Sequence, residues 1–272
     1  MQRSKNTCVF QISAVAFYLL FTMAATAFAS GQRIHVSPAK QGQSPISNAM
    51  LSARAGDTIV LANGKYFEDV VIQNGVIVYS PNIFGAHIVG NGREAVVRLG
   101  SNSRISGVRI SGGRNGIITS VPGAVIENCY VHSNSSSGIL AINHFPLIQN
   151  SIIANNLNSG IQGTRISTAG GEMRNLTIAQ NRRNGLEFDD LREKIVVKDC
   201  LFYKNSNKAI QTRDRENLNL VNLVIFPEQR EFANQDLTLI GRPQFTGKFY
   251  QLKDSSVGRK RGSDGKDIGF VK

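Results

Sequence analysis

The chain has 272 residues, with 26 glycines, no tryptophan, three cysteines and 31 basic against 19 acidic residues. Sparse aromatics and abundant glycine argue against a large mixed core and for a fold built on tight turns. No Cys or His spacing matches a metal-ligand pattern, so a structural zinc site is excluded.

Residues 1–29 read as a secretory signal: Arg3 and Lys5 start it, Ile12 to Met23 is almost wholly apolar, and Ala27-Phe28-Ala29 supplies a small-x-small cleavage site. The apolar run is shorter than the roughly 20 residues a membrane-spanning helix needs. Cleavage is therefore expected, leaving residues 30–272 as one domain without a transmembrane segment, secreted or periplasmic. That mature chain keeps 29 basic and 19 acidic residues, a net charge of +10. A basic exported chain points to an anionic partner, acidic polysaccharide first; nucleic acid is not expected.

Ser44 to Ala55, with apolar Ile46, Met50 and Leu51, suits a short amphipathic helix that caps the first coil of a repeat array. Ala55 to Tyr66 (AGDTIVLANGKY) then reads as turn, strand, turn, and Ile72 to Leu99 as irregular short strands. From Arg104 to Phe226 one phrase recurs six times. A polar turn column reads Gly107, Asn128, Asn150, Asn175, Asp199 and Asn222, at spacings of 21, 22, 25, 24 and 23 residues. Two residues before it stand Ile105, Ile126, Ile148, Met173, Val197 and Leu220; three after it stand Ile110, Val131, Ile153, Ile178, Phe202 and Ile225. A second asparagine column (Asn134, Asn156, Asn181, Asn205) precedes a small-residue column (Gly138, Gly160, Gly185, Ala209).

Periods of this length mean stacked repeats, and short β-branched runs between Asn and Gly mean strands and turns. Asn tolerates the left-handed backbone at bends and can hydrogen-bond from coil to coil. The expected fold is all-β, a right-handed parallel β-helix with a short N-terminal cap, regular over about 104–226 and closing irregularly over 227–272. A leucine-rich repeat would need Leu at most apolar positions, and they are not Leu. Cys129 and Cys200 share a column but stand three coils apart, roughly 14 Å at the usual strand spacing, so no disulfide is expected.

The AGDTIVLANGKY stretch resembles the opening of exported β-helix proteins of the pectate-lyase-like superfamily, notably the chondroitinase-B-like and alginate-lyase-like polysaccharide lyases. The closing run is similar too: Arg242-Pro243-Gln244-Phe245, Phe249-Tyr250-Gln251-Leu252 and Gly265-Lys266-Asp267-Ile268-Gly269. The resemblance implies recognition of an acidic polysaccharide and its cleavage by β-elimination; the alternative is a non-catalytic envelope or surface scaffold. The Asp-Pro-His-Asp motif of the mannuronan epimerases has no counterpart here.

The coils lengthen after Gly160 and Gly185, marking Thr164 to Glu172 and Asp189 to Ile195 as loops where function would sit. On the preceding strands, alternation turns Gln162, Glu187 and Gln211 outward in one row, and Thr164, Asp189 and Arg213 in the next. Elimination needs a cation to neutralise the uronate carboxylate and a base for the C5 proton. Glu187, Asp189 and Asp190 are the candidate calcium ligands. Lys194, Arg213 and His144 are the candidate bases, with Gln162, Arg165, Arg192, Gln211 and Arg215 contacting the sugar. His132 is read as a plain outward strand residue.

Overall fold

The computed structural model describes residues 31–228, 238–247 and 249–271. The reading of residues 1–29 as a signal segment lies outside them. The expected solenoid is present: the chain winds through three parallel sheets in turn, with nine, nine and seven strands among the described residues. The first sheet runs from Arg33–Val36 to Leu218–Val221, the second from Gly64–Phe67 to Thr238–Ile240, and the third from Val70–Ile72 to Ile210–Gln211.

The apolar columns pair as the spacing predicts. Ile105, Ile126, Ile148, Met173, Val197 and Leu220 are successive register partners in the first sheet. Ile110, Val131, Ile153, Ile178, Phe202 and Ile225 are their counterparts in the second. Nearly all are wholly buried, and each such side chain contributes about 1.5–3 kcal/mol when removed from water. Cys129 and Cys200 are buried free thiols, and burial pushes the pKa of each up to about 12.

The two asparagine columns do different work. Every member of the first, between the first and second sheets, takes the left-handed backbone, from Asn150 at φ 43° to Gly107 at φ 78°. In the second column the residue before each asparagine (Ser133, Asn155, Gln180, Lys204) takes that conformation instead. The asparagine itself turns inward: Asn134, Asn156 and Asn181 each donate through Nδ2 to the Oδ1 of the next coil's asparagine, at 2.9 Å. The same Oδ1 atoms accept the backbone N–H of the preceding asparagine at 3.1–3.2 Å. Four residues on, a Cβ at Gly138 would stand 2.7 Å from the Gly160 carbonyl oxygen, and one at Gly160 2.8 Å from that of Gly185. Close approach of adjacent coils keeps this column small.

The cap helix is shorter than the sequence suggests, Pro45–Met50. Glu68 accepts the N–H groups of Ile46 and Ser47 at 2.9 Å, tying the helix start to the first coil. Its far end gives way to a turn in which Asp57 accepts the N–H of Arg54 at 2.8 Å. At the other end the closing segment folds back over the outer face of the second sheet. Phe249 and Phe270 pack there with Phe84, Tyr130 and Ile152, and Leu252 and Ile268 pack on Leu201 and Val224. Asp199, the one acid in the first turn column, accepts Ser263 N–H at 2.9 Å and Ser263 Oγ–H at 2.6 Å.

Asn156→Ala should remove a rung and strand the buried donors of Asn134, lowering unfolding stability by about 3 kcal/mol or more. Leu157→Ala, at an exposed neighbour, should stay within about 0.5 kcal/mol. Urea unfolding of the two variants checks this.

Candidate functional site

The alternation expected on the third sheet is what the register shows. Val71, Arg98, Ile118, Leu140, Gln162, Glu187 and Gln211 are successive partners. They form one outward row of roughly 29 Å at the usual strand spacing. Three concavities lie along it, of about 530 Å³ around Val71, Arg98 and Ile118, about 430 Å³ around Leu140 and Gln162, and about 570 Å³ around Gln162, Glu187 and Gln211. Gln162 lines both of the last two. Exposed Arg114 and Arg165 flank the middle concavity, and exposed Arg183 and Arg213 the third.

The two lengthened coils are not loops at this point. Their extra residues extend the strands Ile161–Ile166 and Leu186–Leu191, which stay paired through Ile166 and Leu191. Two insertions in adjacent coils supply each other's hydrogen-bond partners. Between the paired positions, Arg165 (φ 52°) and Asp190 (φ 60°) take the left-handed backbone, as does Asn143 (φ 63°) one coil earlier.

Gln162, Glu187, Asp189, Asp190, Gln211 and Arg213 meet in the largest concavity, while Arg165 lines the next one along. His144 stands elsewhere, in a depression with Phe145, its Nδ1 3.0 Å from Thr168 Oγ1. Arg192 forks onto Asp190, not Asp189, at 2.7 and 2.6 Å, and this hydrogen-bonded pairing holds the Asp190 carboxyl below its ordinary range. Lys194 is exposed in the turn after the third sheet, and Arg215 opens the short helix Arg215–Asn217.

The carboxylates do not converge as a calcium cage. Glu187 accepts from Ser159 Oγ and, at 3.1 Å, from Asn184 Nδ2, while its other oxygen faces Arg183 at 3.1 Å. Asp190 is taken by Arg192, and Asp214 accepts Leu191 N–H at 2.8 Å. Among the described residues, no group of three or more His, Cys, Asp or Glu is placed to hold a metal ion. Arg183, Asn184 and Asn207 also line this concavity, and the sequence pattern does not single them out. They belong to the turn just before the small-residue column, where each coil offers one or two polar residues to the groove.

The family model described as a right handed beta helix region matches residues 46–225, and the chain belongs to that family. Among solved structures it is similar to an alginate lyase from Paenibacillus sp. str. FPU-7, at 15% identity and a TM-score of 0.52, over 72% of this chain and 88% of that one. It is also similar to a pectin methylesterase from Aspergillus niger in deglycosylated form, at 10% identity and a TM-score of 0.49, over 79% and 81%. The pectate lyase Pel9A matches at 12% identity and a TM-score of 0.46, over 89% and 97%. What the first of these shares with the chain is the solenoid. A search of curated proteins finds no match.

A second cluster lies on the outer face of the second sheet, where Lys65, His87, Arg109 and Tyr130 are successive partners. His132 reaches over the Tyr130 ring, with centroids 4.3 Å apart. It is half-buried, less open than an outward strand residue is expected to be. Burial, then the charge of Arg109, lowers both His87 and His132 from 6.5 to about 4. The folded-state value lies below the unfolded one, so the stability these groups contribute is complete above about 6.5 and lost as pH falls toward about 4. Thermal unfolding should show the midpoint falling across that interval, with a shallower fall in His132→Asn.

Proposed function

We propose that the chain is an exported protein that binds a linear acidic polysaccharide along the outer face of the third sheet. The observation that carries this reading is the line of three adjoining concavities on one row, walled by Arg98, Arg114, Arg165, Arg183 and Arg213. A long shallow trough suits a polymer better than a small molecule, and guanidinium groups along its rim suit carboxylates. Amide side chains at Gln162 and Gln211 suit hydroxyls. The net charge of +10 after removal of residues 1–29 agrees in sign, and export, expected from those residues, would bring such a ligand within reach. A calcium ion at Glu187 or Asp190 would have to displace contacts already made there by Ser159, Asn184, Arg183 and Arg192.

Cleavage by β-elimination is the second reading, favoured by Arg213 sharing the largest concavity with Glu187. Arg213 would neutralise the uronate carboxylate there. Lys194 and His144 do not line that concavity; of the candidate bases only Arg213 does, with Arg183 as the second cation beside it.

Affinity for immobilised polygalacturonate and alginate, measured on the mature chain, tests the proposal. Arg183→Ala and Arg213→Ala should each weaken binding about fivefold, and added salt should weaken it further. Binding that is equally tight in Arg98→Ala, Arg183→Ala and Arg213→Ala would remove the groove from consideration. A rise in ultraviolet absorbance from an unsaturated product, absent in Arg213→Ala, would establish elimination.

A further inference from the structure

The outer row of the second sheet changes character at Tyr130. Beyond it the row runs Ile152, Thr177, Leu201 and Val224, buried and covered by the closing segment, whose Phe270 N–H donates to Thr177 Oγ1 at 3.0 Å. Before it the row is cationic and open at one end, through exposed Lys65 and the 41% exposed Phe67. Between these lies a patch whose polar groups are incompletely partnered. His87 Nε2 meets Ser111 Oγ at 2.8 Å and His132 Nδ1 meets Ser133 Oγ at 3.0 Å. The remaining ring nitrogens, His87 Nδ1 and His132 Nε2, are buried without a partner, as is Arg109 Nε. His87 itself is 9% exposed.

Three unpaired buried nitrogens in one patch are unusual, because each costs free energy that a hydrogen-bond partner would recover. The charges present decide the chemistry of that partner. The charged groups acting on the two imidazoles are Arg109 and Lys65, both cationic. Arg109 Nε can only donate. A metal cation would meet uncompensated positive charge. An acceptor carrying negative charge would satisfy the guanidinium and stabilise protonation of either imidazole. The patch is walled on one side by Tyr130, against which Phe84 and Phe249 pack with centroids 5.9 Å away.

We propose that Lys65, His87, Arg109 and His132 bind a small oxyanion, a carboxylate, sulfate or phosphate group, at a site separate from the third-sheet groove. Binding is linked to proton uptake, since an anion beside the imidazoles favours their charged form. Affinity therefore rises on acidification. Tyr130 and Tyr250 are the other titratable groups on the packed elements, and both are neutral through this range, being raised by burial.

Calorimetric titration of the mature chain with sodium sulfate, sodium phosphate and monomeric galacturonate, at constant ionic strength, tests the site. Saturable one-site binding is expected for at least one of the three, about tenfold tighter near pH 5 than near neutrality. Galacturonate binding would assign a uronate carboxylate as the natural ligand, and binding of only the inorganic ions a sulfate or phosphate. Arg109→Gln and His132→Asn should abolish it, and Lys65→Ala, at the exposed end of the row, should weaken it severalfold even where the buried variants fold poorly. Arg213→Ala should leave it unchanged while weakening polysaccharide binding, which separates this site from the groove. Absence of saturable binding by all three anions, binding that survives Arg109→Gln in folded protein, or loss in Arg213→Ala would each overturn the proposal.

Discussion

The buried amide ladder is the constraint on which the rest of the molecule depends. Backbone hydrogen bonds between parallel strands are indifferent to which residue sits opposite which, and a slip of one residue exchanges the inner and outer faces. The ladder removes that freedom. Each inward asparagine captures both the main-chain N–H and the side-chain amide of its counterpart one coil earlier. A slipped register would leave these groups buried and unpaired, at a cost of several kcal/mol per coil. The third sheet begins a few residues downstream, so its register is inherited from the ladder.

That inheritance lets the coils differ in length without disturbing the groove. The differences all fall between the small-residue column and the next turn column, while the intervals from turn column to ladder asparagine and from there to the small residue stay constant. The lengthened coils at Gly160 and Gly185 therefore keep Gln162 beside Glu187 and Thr164 beside Asp189. Their surplus extends the sheet past the left-handed residues Arg165 and Asp190, which line the last two concavities. Rigid positioning of polar side chains on strands, with shape adjusted in the turns, is the division of labour expected of a solenoid binding surface.

The fold was legible because both apolar columns and both asparagine columns repeat at nearly constant spacing. The outward row at Gln162, Glu187 and Gln211 was legible for the same reason, since strand alternation needs only a register. Partner choice was not. Arg192 meets Asp190 through a local bend at φ 60°, which no periodicity encodes, and Glu187 is claimed by Ser159, Asn184 and Arg183 from turns that strand alternation ignores. The insertions looked like loops because one coil taken alone offers no partner for them. The row Lys65, His87, Arg109 and Tyr130 keeps the same spacing of 22, 22 and 21 residues, but its first members lie in coils without the asparagine columns, so nothing drew attention to it.

The three outer faces resolve their charge in different ways, and the contrast bears on where a ligand belongs. On the first sheet Arg104, Glu127, Gln149 and Arg174 hydrogen-bond along the solenoid in one chain, with acid and base alternating through an amide. Such a face is satisfied by itself and worth little to a partner. On the second sheet the closing segment covers the apolar stretch, and a short cationic stretch stays open. On the third sheet nothing covers the row among the described residues, and only part of its arginine rim is neutralised: Arg98 by Glu94 and Arg183 by Glu187. The surplus of basic over acidic residues must appear where acids are missing. Part of it stands at the groove rim and at Arg109, where a polyanion or its acidic substituents would find donors carried on the sheets.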